Sequence, residues 1–245
     1  MEILKFFFNT TLYKPILNSL VFLYEYLPGH DFGVAIIVLT CVIKVLLFPL
    51  SLKSIVSQKA TQEIQPKIKE IQNKFKNDKE KQAKAIMELY KKEKINPFSG
   101  CLPLLIQLPI LIALFLVLKN MSFNSDSINP ALFYSFIPAP SHINPMFLGV
   151  VNLTTPSVVL AVIAGIVQFF QSKMITPKNI SKKTDDFSQI MQKQMLYLFP
   201  IMTIIILWKL PAAIGLYWIT SSLFSIGQQY LAFKPRQNVY PTGNN

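Results

Sequence analysis

The chain has 245 residues, of which 51% are hydrophobic and 15% charged, with a mean hydropathy of +0.39. That balance excludes an ordinary soluble domain and makes lipid the expected solvent. A net charge of +12, from 24 basic and 12 acidic residues, leaves nucleic acid, anionic lipid or the lysine bias of membrane-protein loops as explanations. Two Cys and two His exclude a disulfide framework or a metal cluster, and no cofactor is expected.

Residues 1–32 do not read as a cleavable signal, because Glu2 precedes any basic region and Lys14 and Pro15 split the apolar stretch. Leu12, Ile16, Leu20, Leu23 and Leu27 recur at helical spacing, which fits a helix lying in the outer membrane interface. A sixth span here would bury Lys14 at a cost of ~2.5–3.5 kcal/mol and would reverse the loop-charge pattern.

Five apolar stretches follow as candidate membrane helices: 33–52, 101–118, 157–171, 195–208 and 212–233. The third and fourth hold 15 and 14 residues, roughly 21 to 23 Å of helix, short of the ~30 Å hydrocarbon core. Residues 53–100 carry twelve Lys against six acids, residues 173–193 five Lys against two Asp, and the tail 234–245 adds Lys234 and Arg236. Residues 120–155 contain no Lys or Arg and read as irregular. The three basic segments therefore face the cytoplasm, with the N-terminus outside and the C-terminus inside. The same distribution argues against DNA as a partner.

Within 53–94, Ile64, Ile68, Ile71 and Phe75 form one apolar stripe and Ala83, Met87 and Tyr90 a second. Pro66 interrupts the first arm, and Asn77 with Glu80 resembles a capping box opening the second. This predicts a helical hairpin with a basic exterior, either a solvated connector or a docking surface for anionic lipid or ribosomal RNA. The cysteines, Cys41 and Cys101, read as buried thiols in or beside apolar runs.

Lys44 is the one charged residue deep within a predicted span, and no acid lies in any span to pair with it. Its ammonium then needs water, a carbonyl or a visiting anionic group, which implies a hydrated cavity. Thr40, Lys44 and Ser51 share a face of the first predicted helix, while Tyr217, Ser221, Ser225 and Gln228 recur along the last, with Trp218 adjacent. Gln107 and Gln168 add amides from the second and third spans. The expected fold is an all-α integral membrane protein, five transmembrane helices around a hydrophilic groove with a cytoplasmic helical hairpin. Such a groove keeps polar client segments hydrated partway across the bilayer while apolar helices leave sideways into lipid.

Asn96-Pro97-Phe98-Ser99-Gly100-Cys101-Leu102-Pro103 running into Leu104-Leu105-Ile106-Gln107-Leu108-Pro109-Ile110 resembles the second core span of the YidC-type membrane protein insertase family. Gln65-Pro66-Lys67, Phe48-Pro49-Leu50, Leu216-Tyr217-Trp218 and Gln228-Gln229 are similar to the same family, and the likeness covers roughly residues 33–233. It implies insertion of nascent membrane proteins, alone or beside the Sec translocon, in the bacterial plasma (inner) membrane. The ribosome or the signal recognition particle would be met through the basic hairpin. Lys44 stands where the family places a groove arginine. A lysine keeps the charge but loses the bidentate fork, so a looser grip on acidic segments is expected. Thr40, Tyr217, Trp218 and Gln168 match other groove positions. A short form is expected, without a large extracytoplasmic domain, a preceding signal anchor or a lipid-modified N-terminal Cys.

The rival class is a small channel or transporter, but ion-coupled carriers usually hold a membrane carboxylate and none is predicted here. An enzyme is weaker still: His30 and His142 fall in outer segments, and neither HExxH nor GxSxG occurs.

Overall fold

In a computed structural model the described residues are 2–96, 102–120, 132–137, 140, 143–176 and 194–233. Cys101, His142, most of the 96–103 motif, much of the basic segment 173–193 and the tail 234–245 lie outside them.

The N-terminal helix runs as α1 (Glu2–Phe8), a π-helical turn (Asn9–Tyr13) and α2 (Lys14–Tyr26). Its apolar stripe is packed rather than free: Ile16, Leu17, Leu20, Val21 and Tyr24 are buried in the main core, and Leu12, Leu23 and Leu27 pack against it. Asn18 is 1% exposed and fully engaged, donating to the carbonyls of Lys14 and Leu132 and accepting from Tyr134 N at 2.8 Å. The helix is thereby clamped between the bundle and the segment that contains Leu132 and Tyr134.

The next stretch, expected as one helix over 33–52, is two. α3 (Phe32–Leu46) opens on Asp31, whose Oδ1 accepts from Val34 N at 2.9 Å, and α4 (Phe48–Glu63) restarts after Leu47 at an angle of 67°. Pro49, in the first turn of α4, has no N–H to continue the hydrogen-bond ladder, and this explains the break. α4 then packs along the bundle, where Gln62 donates to the carbonyl of Ile175.

A second break at Ile64 separates α4 from α5 (Gln65–Lys74), with Pro66 again in the first turn. α5 pairs with α6 (Lys79–Lys92) to make the hairpin. The cap of α6 is Asp78, accepting from Lys81 N at 3.0 Å, one residue later than the expected Asn77. The buried face also differs from the expected stripe: Gln82 is buried and donates to the carbonyl of Gln72, Ile86 and Leu89 are half-buried, and Ala83 and Met87 are exposed. Lys67 and Glu93 close the open end at 2.6 Å. The hydrogen bond and charge of Lys67 hold the Glu93 carboxyl below the usual range.

α7 (Leu102–Asn120), α8 (Val158–Ile175), a π-helical turn (Gln194–Leu198) with α9 (Phe199–Leu207), and α10 (Ala212–Phe233) complete the bundle. Among the described residues α8 alone is long and apolar enough to cross a bilayer by itself. α3 and α4 pass that test only as a bent pair, and the π-turn with α9 is shorter. α8 is 18 residues long, exceeding the expected 157–171 because Ser172 to Ile175 continue the helix. α10 is central: it packs on α3 and α8, touches α4, α7 and α9, and every residue from Ala212 to Tyr217 is buried. Small residues permit the approach. A Cβ on Gly165 of α8 would lie 2.3 Å from Ile204 of α9, and one on Gly215 of α10 would lie 3.3 Å from Leu160 of α8.

Residues 120–155 are not wholly irregular. β1 (Met146–Phe147) and β2 (Val151–Asn152) form an antiparallel hairpin with Phe147 opposite Val151. Leu148 and Gly149 both take positive φ, 50° and 69°, as a tight turn twisted with the strands requires. The hairpin is fastened to the bundle by Leu148 N donating to Asp31 Oδ2 at 2.6 Å and by Phe147 lying over Gly33. The carbonyls of Leu153 and Thr155 accept from Ala213 N and Ala212 N, satisfying the first donors of α10.

Candidate functional site

The polar residues expected in one groove fall into two separate networks on different faces of α10. The first joins α3, α7 and α10 around Lys44. The bend at Leu47 places Lys44 in the last turn of α3, rather than deep within a longer helix, and near a helix C-terminus a cation meets the negative end of the backbone dipole. Its Nζ donates to Ser225 Oγ at 3.3 Å and to Gln107 Oε1 at 3.5 Å. The ammonium is therefore partnered by protein: one contact is a side-chain carbonyl, as one of the expected options allowed, and the other is a hydroxyl. Both partners are neutral and both distances exceed the 2.7–2.9 Å of a strong charged hydrogen bond.

The rest of this network is tighter. Gln107 Nε2 donates to Tyr217 OH at 2.7 Å and to Ser221 Oγ at 3.3 Å, and Ser225 Oγ donates back to the Ser221 carbonyl. Tyr217, Ser221 and Ser225 are stacked at four-residue spacing, one above another on a single face of α10. Gln107 thus orients its amide with the nitrogen toward Tyr217 and the oxygen toward Lys44.

Thr40, one turn before Lys44, is 2% exposed and donates to the Ile36 carbonyl at 2.6 Å. It lines a small void of about 10 Å³ with Ile16, Ile36, Leu39, Ile43, Ile110, Leu114 and Tyr217. At that size the void has room for one water at most, and its walls are apolar apart from Thr40 and Tyr217. Ser51 lies beyond the bend on α4. It does not share a helix face with Thr40 and Lys44, and among the described residues no hydrogen bond joins it to the network. Gln228 is 4% exposed with its Nε2 unpartnered in the described structure, and Gln229, 2% exposed, leaves Oε1 unpartnered.

The second network holds α8, α9 and α10 together. Gln168 Oε1 accepts from Trp218 Nε1 at 2.6 Å and from Thr203 Oγ1 at 2.8 Å. Gln168 and Trp218 are therefore hydrogen-bonded apart from Lys44, in a contact that ties α8, α9 and α10 together. Thr203 was not among the expected residues; its signal is that it is the one hydroxyl in the apolar stretch Phe199–Leu207. Cys41 is half-buried rather than buried. Among the described residues no group of three His, Cys, Asp or Glu could hold a metal ion.

A helical bundle with largely apolar outer faces and one cation seated among neutral polar groups is the build of an integral membrane protein. The model of the 60Kd inner membrane protein family matches residues 22–238, and the chain belongs to that family. It is 40% identical over 204 residues to a protein of Fusobacterium nucleatum named membrane protein insertase YidC, covering 83% of this chain and 87% of that one. A Clostridium tetani protein of the same name is 39% identical, covering 86% and 85%. One from Geotalea daltonii is 36% identical over 93% of this chain, which spans 38% of that relative's length. Among solved structures, an active YidC insertase crystal structure with its first transmembrane domain resolved superposes with a TM-score of 0.58 at 25% identity. The match covers 91% of this chain and 46% of that one.

Proposed function

We propose that this protein is a non-enzymatic membrane protein insertase whose contact with the client is Lys44. The observation that carries this reading is an ammonium held at 3.3 and 3.5 Å by two neutral oxygens, with a tight polar network behind it and no carboxylate beside it among the described residues. An ion so weakly compensated attracts a client carboxylate. At ~4 Å and an effective dielectric of ~20 the attraction is about 4 kcal/mol, enough to offset a good part of the cost of bringing that carboxylate into the membrane. Ser221, Ser225, Gln107 and Tyr217 keep the lysine oriented, and Gln228, one turn nearer the cytoplasmic end, offers the next polar step.

In this reading α3, α7, α8, the π-turn with α9, and α10 are five transmembrane helices of a protein in the bacterial plasma membrane, N-terminus outside. A groove beside Lys44 opens to the cytoplasm. Clients are nascent membrane proteins, received alone or with the Sec translocon. The α5–α6 hairpin, whose exposed lysines form its outer surface, is the arm that meets ribosome, signal recognition particle or anionic headgroups. Support comes from the names of the relatives and from the lysine distribution between the spans.

Purified protein in liposomes tests this. Without nucleotide it should insert a short client whose translocated segment is acidic, and Lys44→Met should slow that insertion about tenfold or more while Lys44→Arg retains it. Selective solute flux with no insertion would instead assign the protein to the channel and transporter class.

A further inference from the structure

On its α8–α10 side the bundle carries an open groove of about 540 Å³, lined by Val167, Phe170, Met174, Leu223 and Ile226, with Lys173 as its one polar wall residue. It contains no member of either polar network. Phe170 and Leu223 remain 54% and 52% exposed, so the two helices do not close over it. From Val167 to Met174 the groove follows α8 for roughly 10 Å, too short for the multi-turn stripe that seats a helix but suited to a slender chain. Lys173 lies in the last turn of α8, exposed, with no carboxylate partner among the described residues.

An apolar channel with an uncompensated cation at one end matches a molecule with an apolar tail and an anionic head. We propose that this groove binds an anionic phospholipid, one acyl chain lying between α8 and α10 and the headgroup phosphate on the Lys173 ammonium. The lysine acts as a flexible point charge, its methylene stem extending the apolar wall to the headgroup level. Bound there, the lipid fills the space between the two helices at the end of α8, next to the Gln62 contact that ties α4 to Ile175. The proposal rests on the membrane reading above and is independent of insertion activity.

The test is photolabelling of the full chain in symmetric proteoliposomes with phosphatidylglycerol or phosphatidylcholine carrying a mid-chain diazirine, with labelled peptides mapped by mass spectrometry. Symmetric vesicles make the result independent of orientation. Residues 167–174 and 223–226 should label about fivefold more from phosphatidylglycerol, the preference a single lysine confers near an anionic headgroup. Lys173→Gln should reduce that to the phosphatidylcholine level, and Lys173→Arg should keep it. Leu223→Trp, which fills the groove, should lower labelling from both lipids while residues 158–162 label as before. Free glycerol phosphate should not compete, because the tail is required. Equal labelling by the two lipids, an unchanged preference in Lys173→Gln, or a client helix displacing the lipid label would each overturn the proposal alone. Protein that did not float with the vesicles would overturn the membrane reading as well.

Discussion

Replacing Gln168 by Leu removes one acceptor oxygen that serves two donors, and the two respond differently. Thr203 Oγ1 also donates to the Phe199 carbonyl at 3.0 Å, so it stays satisfied when Gln168 is lost. Trp218 Nε1 has Gln168 Oε1 as its hydrogen-bond partner at 2.6 Å and falls back on nothing comparable within the described structure. The cost is therefore close to that of one orphaned indole N–H, about 1–3 kcal/mol by the usual range for a buried donor. Interhelical bonds in membranes lie at the lower end, averaging ~0.6 and reaching ~1.7 kcal/mol. We expect about 1–2 kcal/mol, read as loss of unfolding free energy in detergent. A double-mutant cycle isolates it: Gln168→Leu in a Trp218→Phe background should cost at least ~1 kcal/mol less than in the native chain. Additive effects would refute the assignment of these residues to a shared adhesive contact. Insertion of acidic clients should survive Gln168→Leu, since this network is apart from Lys44.

Gly165→Ala places a methyl against Ile204 Cγ1 at 2.3 Å and the Pro200 carbonyl at 3.1 Å, so α8 and α9 must separate. A loss of ~1–3 kcal/mol, partly restored by Ile204→Ala, is expected in chemical unfolding. Asp31→Ala removes both the cap of α3 and the acceptor for Leu148 N. It should cost about 0.5–2 kcal/mol and make residues 146–152 faster to cleave by added protease. The Lys67–Glu93 pair lowers the folded carboxyl's pKa, so its stabilisation is present above the ordinary glutamate value and lost as pH falls through the depressed one. Amide-exchange protection factors across 65–92, taken against the intrinsic exchange rate at each pH, should fall on acidification below about pH 4.5, the ordinary glutamate range, and Lys67→Gln should flatten that response.

The ends of α10 are legible because an uncharged stretch runs from Ala212 to Phe233, bounded by Pro211 and Lys234. The grouping of Lys44, Gln107, Tyr217, Ser221 and Ser225 is legible too, since four-residue spacing fixes which side chains share a helix face. Which neighbouring helix that face meets is not. Tyr217 and Trp218 are adjacent in sequence but ~100° apart around the helix, so they enter different networks, and a hydroxyl on α9 decides where Gln168 turns. The bend at Leu47 carries its own signal in Pro49, yet a proline at that place marks the end of a span as readily as a kink. In the hairpin the packed face of α6 is turned by one residue, ~100°, from the expected stripe, which exchanges Met87 for Ile86. The β-hairpin at 146–152 has no Asn-Gly or Asp-Gly turn to announce it, and it forms because Asp31 and Gly33 hold it in place.

The most direct measurement is solvent access to position 44 in sealed vesicles of known orientation. With the native cysteines replaced and Lys44→Cys introduced, a membrane-impermeant maleimide added on the cytoplasmic face should label the folded protein. The same reagent on the outer face should not, because the buried Thr40 and Tyr217 and the apolar side chains around them block that side. Absence of cytoplasmic labelling in a chain that melts like its parent, or equal labelling from both faces, would contradict a Lys44 that meets its client from the cytoplasm.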